Sequence, residues 1–247
     1  MNRLLLTTLL ILSTGLTYAQ TDTIRVNGQT LNTAAWREVK SSYAVYFEDS
    51  TGRRLSSADI WDRTLRQTTQ NGQRQFTFIW DWHRRDSLFA HVTTTGQWPS
   101  LVPLSHDAVY AKRGSRSFVF QNQVVTIPDT ARHSARDSSF RVTMQPPAFA
   151  FPMDLEILPL LPIRRVGQTF AVPFYEPGSP SSAYYKLSVT GRERLPIVGK
   201  ATVDCWLVRI DYAPGAYATF WISDQPREVV KMKEYFRGRY RYKVKLY

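Results

Sequence analysis

The sequence predicts an all-β protein: a strongly curved antiparallel meander sheet, an open or half barrel of roughly ten or more strands, with a short apolar, proline-bracketed helical plug. Three observations predict it. Apolar and polar residues alternate with period two in segment after segment. The turn sequences between those segments are too short for a crossover helix, so neighbouring strands run antiparallel. One stretch, 146–165, breaks the alternation with a dense run of Phe, Leu and Ile cut by Pro152, Pro159 and Pro162.

The first twenty residues read "MNRLLLTTLLILSTGLTYAQ". Arg3 supplies a positive start, Leu4 to Leu12 an apolar core, and Thr17-Tyr18-Ala19 a small-residue cleavage site. This is the pattern of a signal peptide over 1–19, with an exported product beginning at Gln20. The apolar run is too short for a permanent membrane span, and no later stretch is long and apolar enough.

The remaining 20–247 reads as a single β domain with two sheet halves, about 20–145 and 166–247, joined by the plug 146–165. "YAVYFE" (43–48) alternates Tyr43, Val45 and Phe47. The runs 59–70 and 73–82 flank Asn71-Gly72, a dipeptide suited to a type I′ turn because both central positions need positive φ. A helix over 57–68 is the competing reading, since Ser56-x-x-Asp59 resembles a capping box; Thr64, Thr68 and Thr69 favour the strand. "HRRD" (83–86) turns the chain into 87–95, and 116–127 is a further strand or strand pair. The stretch 128–139 is polar and reads as a mobile loop. In the second half, 168–175, 183–195, 201–212, 216–223, 227–236 and 239–247 are six strands in a row. Asp154 to Leu158 fits one or two helical turns, ended by Pro159.

The closing "RYRYKVKLY" puts Arg239, Arg241, Lys243 and Lys245 on one face and Tyr240, Tyr242, Val244 and Leu246 on the other. A lipid-spanning strand is excluded in the register that turns four cations to lipid, at roughly 2–4 kcal/mol each near the midplane. Nucleic acid is disfavoured, because tyrosines and cations fall on opposite faces. The expectation is that the cations are solvated and guard a sheet edge, while the tyrosines and Leu246 pack inward.

The chain holds 32 Lys+Arg against 20 Asp+Glu, a net charge of +12. Such a balance speaks to attraction for anions, not to fold. Cys205 is the only cysteine and lies in an apolar strand, so no internal disulfide is available and an inert buried thiol is expected. No nucleophile elbow, zinc-helix motif, calcium loop or phosphate-cradling glycine loop is present. The four histidines lack ligand-like spacing, which leaves no metal and no cofactor to assign. Asp154-x-Glu156 does not share a helix face and is expected at the surface. No catalytic residues are nominated, and a cell-wall glycan hydrolase would need a carboxylate pair that the sequence does not offer.

The stretch "YYKLSVTGRERL…GKATVDCWLVRIDY…ATFWISDQPREVVKMKEYF" resembles an exported bacterial family known only as domain-of-unknown-function family 3108. The likeness rests on Gly191-x-Glu193, the strand from Gly199 to Cys205-Trp206, Phe220-Trp221-Ile222 and Val229-Val230-Lys231. Upstream, Leu101-x-Pro103-x-x-His106, "RSFVF" and "LEILPLLP" extend it over most of the chain. The resemblance implies a Gram-negative envelope protein, periplasmic or outer-membrane-associated, with a fold similar to the half-barrels of periplasmic lipoprotein carriers. It brings no catalytic residue. The functional expectation is a non-enzymatic protein that takes an apolar or amphipathic, lipid-like molecule in the concave face. Phe149, Phe151, Leu155, Leu158 and Leu161 would form a gate, with Trp80 and Trp206 as lining, and peripheral contact with anionic headgroups is compatible with the charge. The alternative is a structural or adaptor module with a filled core and an envelope protein as partner.

Overall fold

The structure is a computed structural model and describes residues 20–27, 29–197 and 201–246. The predicted signal peptide 1–19, residues 198–200 of the predicted connection between two strands, and Tyr247 lie outside the described residues.

In chain order the elements are β1 (Thr21–Thr23), β2 (Val39–Asp49), β3 (Asp59–Gln70), β4 (Gln73–Arg84), β5 (Ser87–Gln97), β6 (Pro103–Tyr110), β7 (Gly114–Gln121) and β8 (Val124–Thr126). Then follow helix α1 (Ala135–Ser139), β9 (Arg141–Thr143), β10 (Phe149–Ala150), the single-turn helix α2 (Asp154–Ile157), β11 (Thr169–Tyr175), β12 (Ala183–Pro196), β13 (Thr202–Ala213), β14 (Ala216–Ser223), β15 (Val229–Phe236) and β16 (Arg239–Leu246). The strands form one open sheet in the order β1-β11-β12-β13-β14-β15-β16-β2-β3-β4-β5-β6-β7-β8-β9, with β10 also on β11. Every pairing is antiparallel except those of β1 and β10, which lie parallel along the outer edge of β11.

The turn chemistry sets the hairpins. Asn71 and Gly72 take φ 52° and 73° between β3 and β4, which run in unbroken register from Ile60↔His83 to Gln70↔Gln73. The predicted 57–68 helix therefore gives way to the strand. The run 116–127 is a strand pair, split by Asn122 and Gln123 at positive φ. The polar stretch 128–139 is not simply a loop. It carries α1, where the Ser134 hydroxyl accepts the Asp137 N–H at 3.2 Å and the Asp137 carboxylate accepts the His133 N–H at 3.0 Å. One glycine is fixed by contact: a Cβ at Gly96 would sit 2.2 Å from the Phe76 ring, which covers its backbone from the adjacent strand.

The largest correction concerns β16. It is not an edge. It lies between β15 and β2 and joins the two sheet halves, through pairs such as Met232↔Lys243 and Lys243↔Val45. Residues opposite one another share a face. Met232 and Val45 are core residues, so Lys243 and the other odd-numbered cations share their inward-facing register. Tyr240 and Tyr242 face out, where Tyr242 stacks on Tyr46 at 4.9 Å. The expected orientation is thus reversed, and counter-charge from the plug explains why.

The sheet wraps around 146–165. One core cluster unites Tyr43, Trp61, Phe78 and Val92 from the first half with Phe170, Leu187, Val208 and Phe220 from the second, around Met153, Leu155, Ile157 and Leu158. The two ends of the sheet approach through side chains: Phe120 of β7 meets Tyr175 of β11 at 6.0 Å, and Ser182 donates to the Pro146 carbonyl. The barrel is closed by packing rather than by backbone pairing.

Candidate functional site

The plug is a chain of three short helical pieces, the outer two with a proline in their first turn. Pro152 and Pro159 stand in the first turns of 3-10 segments (Phe151–Met153 and Leu158–Leu160) on either side of α2. Proline is tolerated there because the missing N–H has no helical acceptor. Its far end is tethered by Arg227, whose guanidinium donates to the Pro159 carbonyl at 3.1 Å and to that of Leu161 at 2.8 Å.

Of the seven residues expected as gate and lining, Phe149, Leu155, Leu158, Leu161, Trp80 and Trp206 all lie in the one core cluster. Phe151 is half-buried and meets Phe174, Tyr185 and Tyr212 at 4.9, 5.4 and 5.8 Å. Leu155 also lines a cleft. That cleft, of about 230 Å³, opens between the plug and β2–β3. Its apolar wall includes Trp36, Val39, Leu65, Leu155 and Leu160, and its polar wall holds Arg63 and Glu156.

Asp154 and Glu156 are buried, contrary to the surface position expected for them. Glu156 is 3% exposed and accepts a hydrogen bond from Nε of Arg63, itself 5% exposed. The second carboxylate oxygen of Glu156 is buried with no hydrogen-bond partner among the described residues. Burial pushes its carboxyl up to about 7, against the pull of Arg63. Burial works against the Arg63 charge, but Glu156, Tyr43 and Glu228 together hold the guanidinium above its usual value. Burial likewise raises Asp154, opposed chiefly by Lys243. Lys243, 7% exposed, is lowered by burial against the attraction of Asp154, and its ammonium stands 5.1 Å from the Trp61 ring centre and 5.7 Å from that of Trp80. Farther along the same face Arg241 is ion-paired with Glu234 at 2.7 Å.

A signal for this cluster exists in the sequence. Two acids inside "FAFPMDLEILPLLP" need partners once the run is buried, and the only strand with cations at every second position is the last. Cys205 conforms to expectation: it is buried, and that burial pushes its thiol up to about 12. Among the described residues no group of three or more His, Cys, Asp or Glu is placed to hold a metal ion.

A sheet of this order around a proline-bracketed plug defines an open β-barrel-like protein. The chain belongs to the family described as Protein of unknown function (DUF3108), which matches residues 42–245. A solved structure with a similar fold is a β-barrel-like protein of domain of unknown function DUF1849 from Brucella abortus, 9% identical, with a TM-score of 0.49 over 85% of this chain and 97% of that one. No curated protein matches the chain. The family description names no enzymatic activity.

Proposed function

We propose that this chain is a non-enzymatic, exported envelope protein that receives an apolar or amphipathic, lipid-like molecule between its plug and its sheet. The observation that carries the reading is the half-open cleft: apolar on the side of Leu65, Leu155 and Leu160, polar at Arg63 and Glu156. Ligand sites are mostly apolar concavities with a few placed polar groups. At about 230 Å³ the cleft takes a short apolar group as it stands; a longer chain requires the plug to shift. The test is native mass spectrometry of protein titrated with a lysophospholipid. A one-to-one adduct is expected, lost when Leu65→Trp fills the cleft. A wild-type protein that takes up no lipid under titration overturns the reading.

The second reading, an adaptor module with a filled core, is favoured by the packing of six of the seven expected gate and lining residues into one buried cluster. It predicts no adduct, and equal behaviour of Leu65→Trp and wild type.

A further inference from the structure

The end of the barrel opposite the cleft carries a different chemistry. Glu228, which lines the cleft, immediately precedes β15, and Phe236 ends it. At the Phe236 end a groove of about 460 Å³ is lined by Phe47, Glu234, Phe236, Arg237, Arg239 and Arg241. The β15–β16 turn, with Arg237 and Gly238 at φ 50° and 77°, stands beside the β2–β3 loop, because Arg239 pairs with Asp49. That loop presents Arg53, Arg54 and Leu55. Phe236 is 51% exposed and Leu55 41%. Arg53 and Arg241 are ion-paired with Asp49 and Glu234. Arg54, Arg237 and Arg239 have no carboxylate partner among the described residues.

Behind this rim the outer face is a bank of tyrosines. Tyr217–Tyr235, Tyr235–Tyr240 and Tyr46–Tyr242 have ring centres 5.6, 5.0 and 4.9 Å apart. Cations lie over them: Arg54 is 3.8 Å from the Tyr46 ring centre and Lys233 4.3 Å from that of Tyr240. The tyrosines and cations that the last strand separates are therefore interleaved on one outer surface by the neighbouring strands.

We propose that this rim docks the protein on an anionic phospholipid bilayer. Phe236 and Leu55 enter the interface, Arg54, Arg237 and Arg239 meet lipid phosphates, and the tyrosine bank sits at headgroup level, where rings with polar tips are favoured. A soluble anion accounts for the arginines but not for two exposed apolar side chains, one at the end of β15 and one on the neighbouring β2–β3 loop. The anionic surface accounts for both, and the chain's net charge of +12 complements it. This inference rests on the rim alone and stands whether or not the cleft takes a ligand.

The test is co-sedimentation of the purified protein with vesicles of phosphatidylcholine alone or of phosphatidylcholine with phosphatidylglycerol. Binding is expected to the anionic vesicles only, and to weaken as salt screens the rim. Each basic residue near such a surface contributes about fivefold in affinity, so the double reversal Arg237→Glu/Arg239→Glu lowers it at least tenfold and Phe236→Ser lowers it as well. Arg132→Glu/Arg136→Glu, far along the chain in the polar stretch before β9, leaves it within about twofold, since long-range charge is screened. Near-UV circular dichroism verifies the folds, and Arg54→Glu, on the other loop, reads the same rim if the double variant misfolds. Equal binding to neutral vesicles, unchanged binding by the rim variants, an equal loss in the Arg132/Arg136 control, or full displacement by millimolar inorganic phosphate overturns the proposal.

Discussion

Glu156 sits where a carboxylate is least at home, and its titration is a handle on the interior. Its carboxyl titrates at about 7 in the fold, against 4.5 ordinarily. The folded state thus binds more protons than the unfolded chain between those values, so the stability Glu156 contributes is fully present below about 4.5 and is lost as pH rises through 7. His106 acts in the opposite sense. Buried, with Nδ1 2.9 Å from the Thr94 hydroxyl, it is pushed down to about 4 from 6.5, so its contribution grows as pH rises through that window. The two trends oppose each other in the wild type. Glu156→Gln removes one of them. The variant is less stable overall by about 3–5 kcal/mol, because Arg63 loses its charged partner. Its Tm nevertheless rises relative to wild type as pH increases from about 4.5 to 7, a slope read by thermal melts across that range. Identical slopes would place the carboxylate in solvent. At this scale the sequence was legible for Cys205 and for the Asn71-Gly72 turn, where local chemistry decides. It was not legible for Asp154 and Glu156, whose partners Lys243 and Arg63 come from two strands, each some ninety residues away in opposite directions.

At the scale of elements, the period-two pattern located the long strands to within a few residues, because alternation over eight or more positions leaves little freedom. It missed β1, β9 and β10, which are three or two residues long and carry no period. It missed β6, whose Pro103 and polar Ser105, His106 and Asp107 break the alternation. For β16 it gave two faces but not which one is buried: an alternating strand in mid-sheet looks the same read from either side, and four cations outweighed two tyrosines in the choice. The plug poses the sharper functional question of whether its leucines are core or gate. Leu158 is fully buried within the main cluster. Leu158→Ala is expected to cost about 2–5 kcal/mol in denaturant unfolding, the range for truncating a buried leucine. A cost below about 1 kcal/mol is the signature of a side chain already near water in a swinging gate.

For the whole molecule, one relation carries the account: β16 pairs with β2, closes the two halves into one sheet, and turns its cations onto the plug's carboxylates. Without it Arg241, Lys243 and Lys245 would turn to solvent, and Asp154 would be buried without the cation that chiefly offsets its burial. The register places Val244 opposite Ala44. Paired strands bring such side chains to about 4.5–5.5 Å between Cβ atoms, within reach of a disulfide. In a Cys205→Ala background, the double variant Ala44→Cys/Val244→Cys should therefore oxidise to an intramolecular disulfide in the native protein. The bond is visible as a faster band on a non-reducing gel and as the loss of two hydrogens in intact mass, while Ile60→Cys/Val244→Cys, one strand farther apart, stays reduced. An Ala44/Val244 pair that resists oxidation in folded protein, or a control pair that oxidises equally well, would contradict the account.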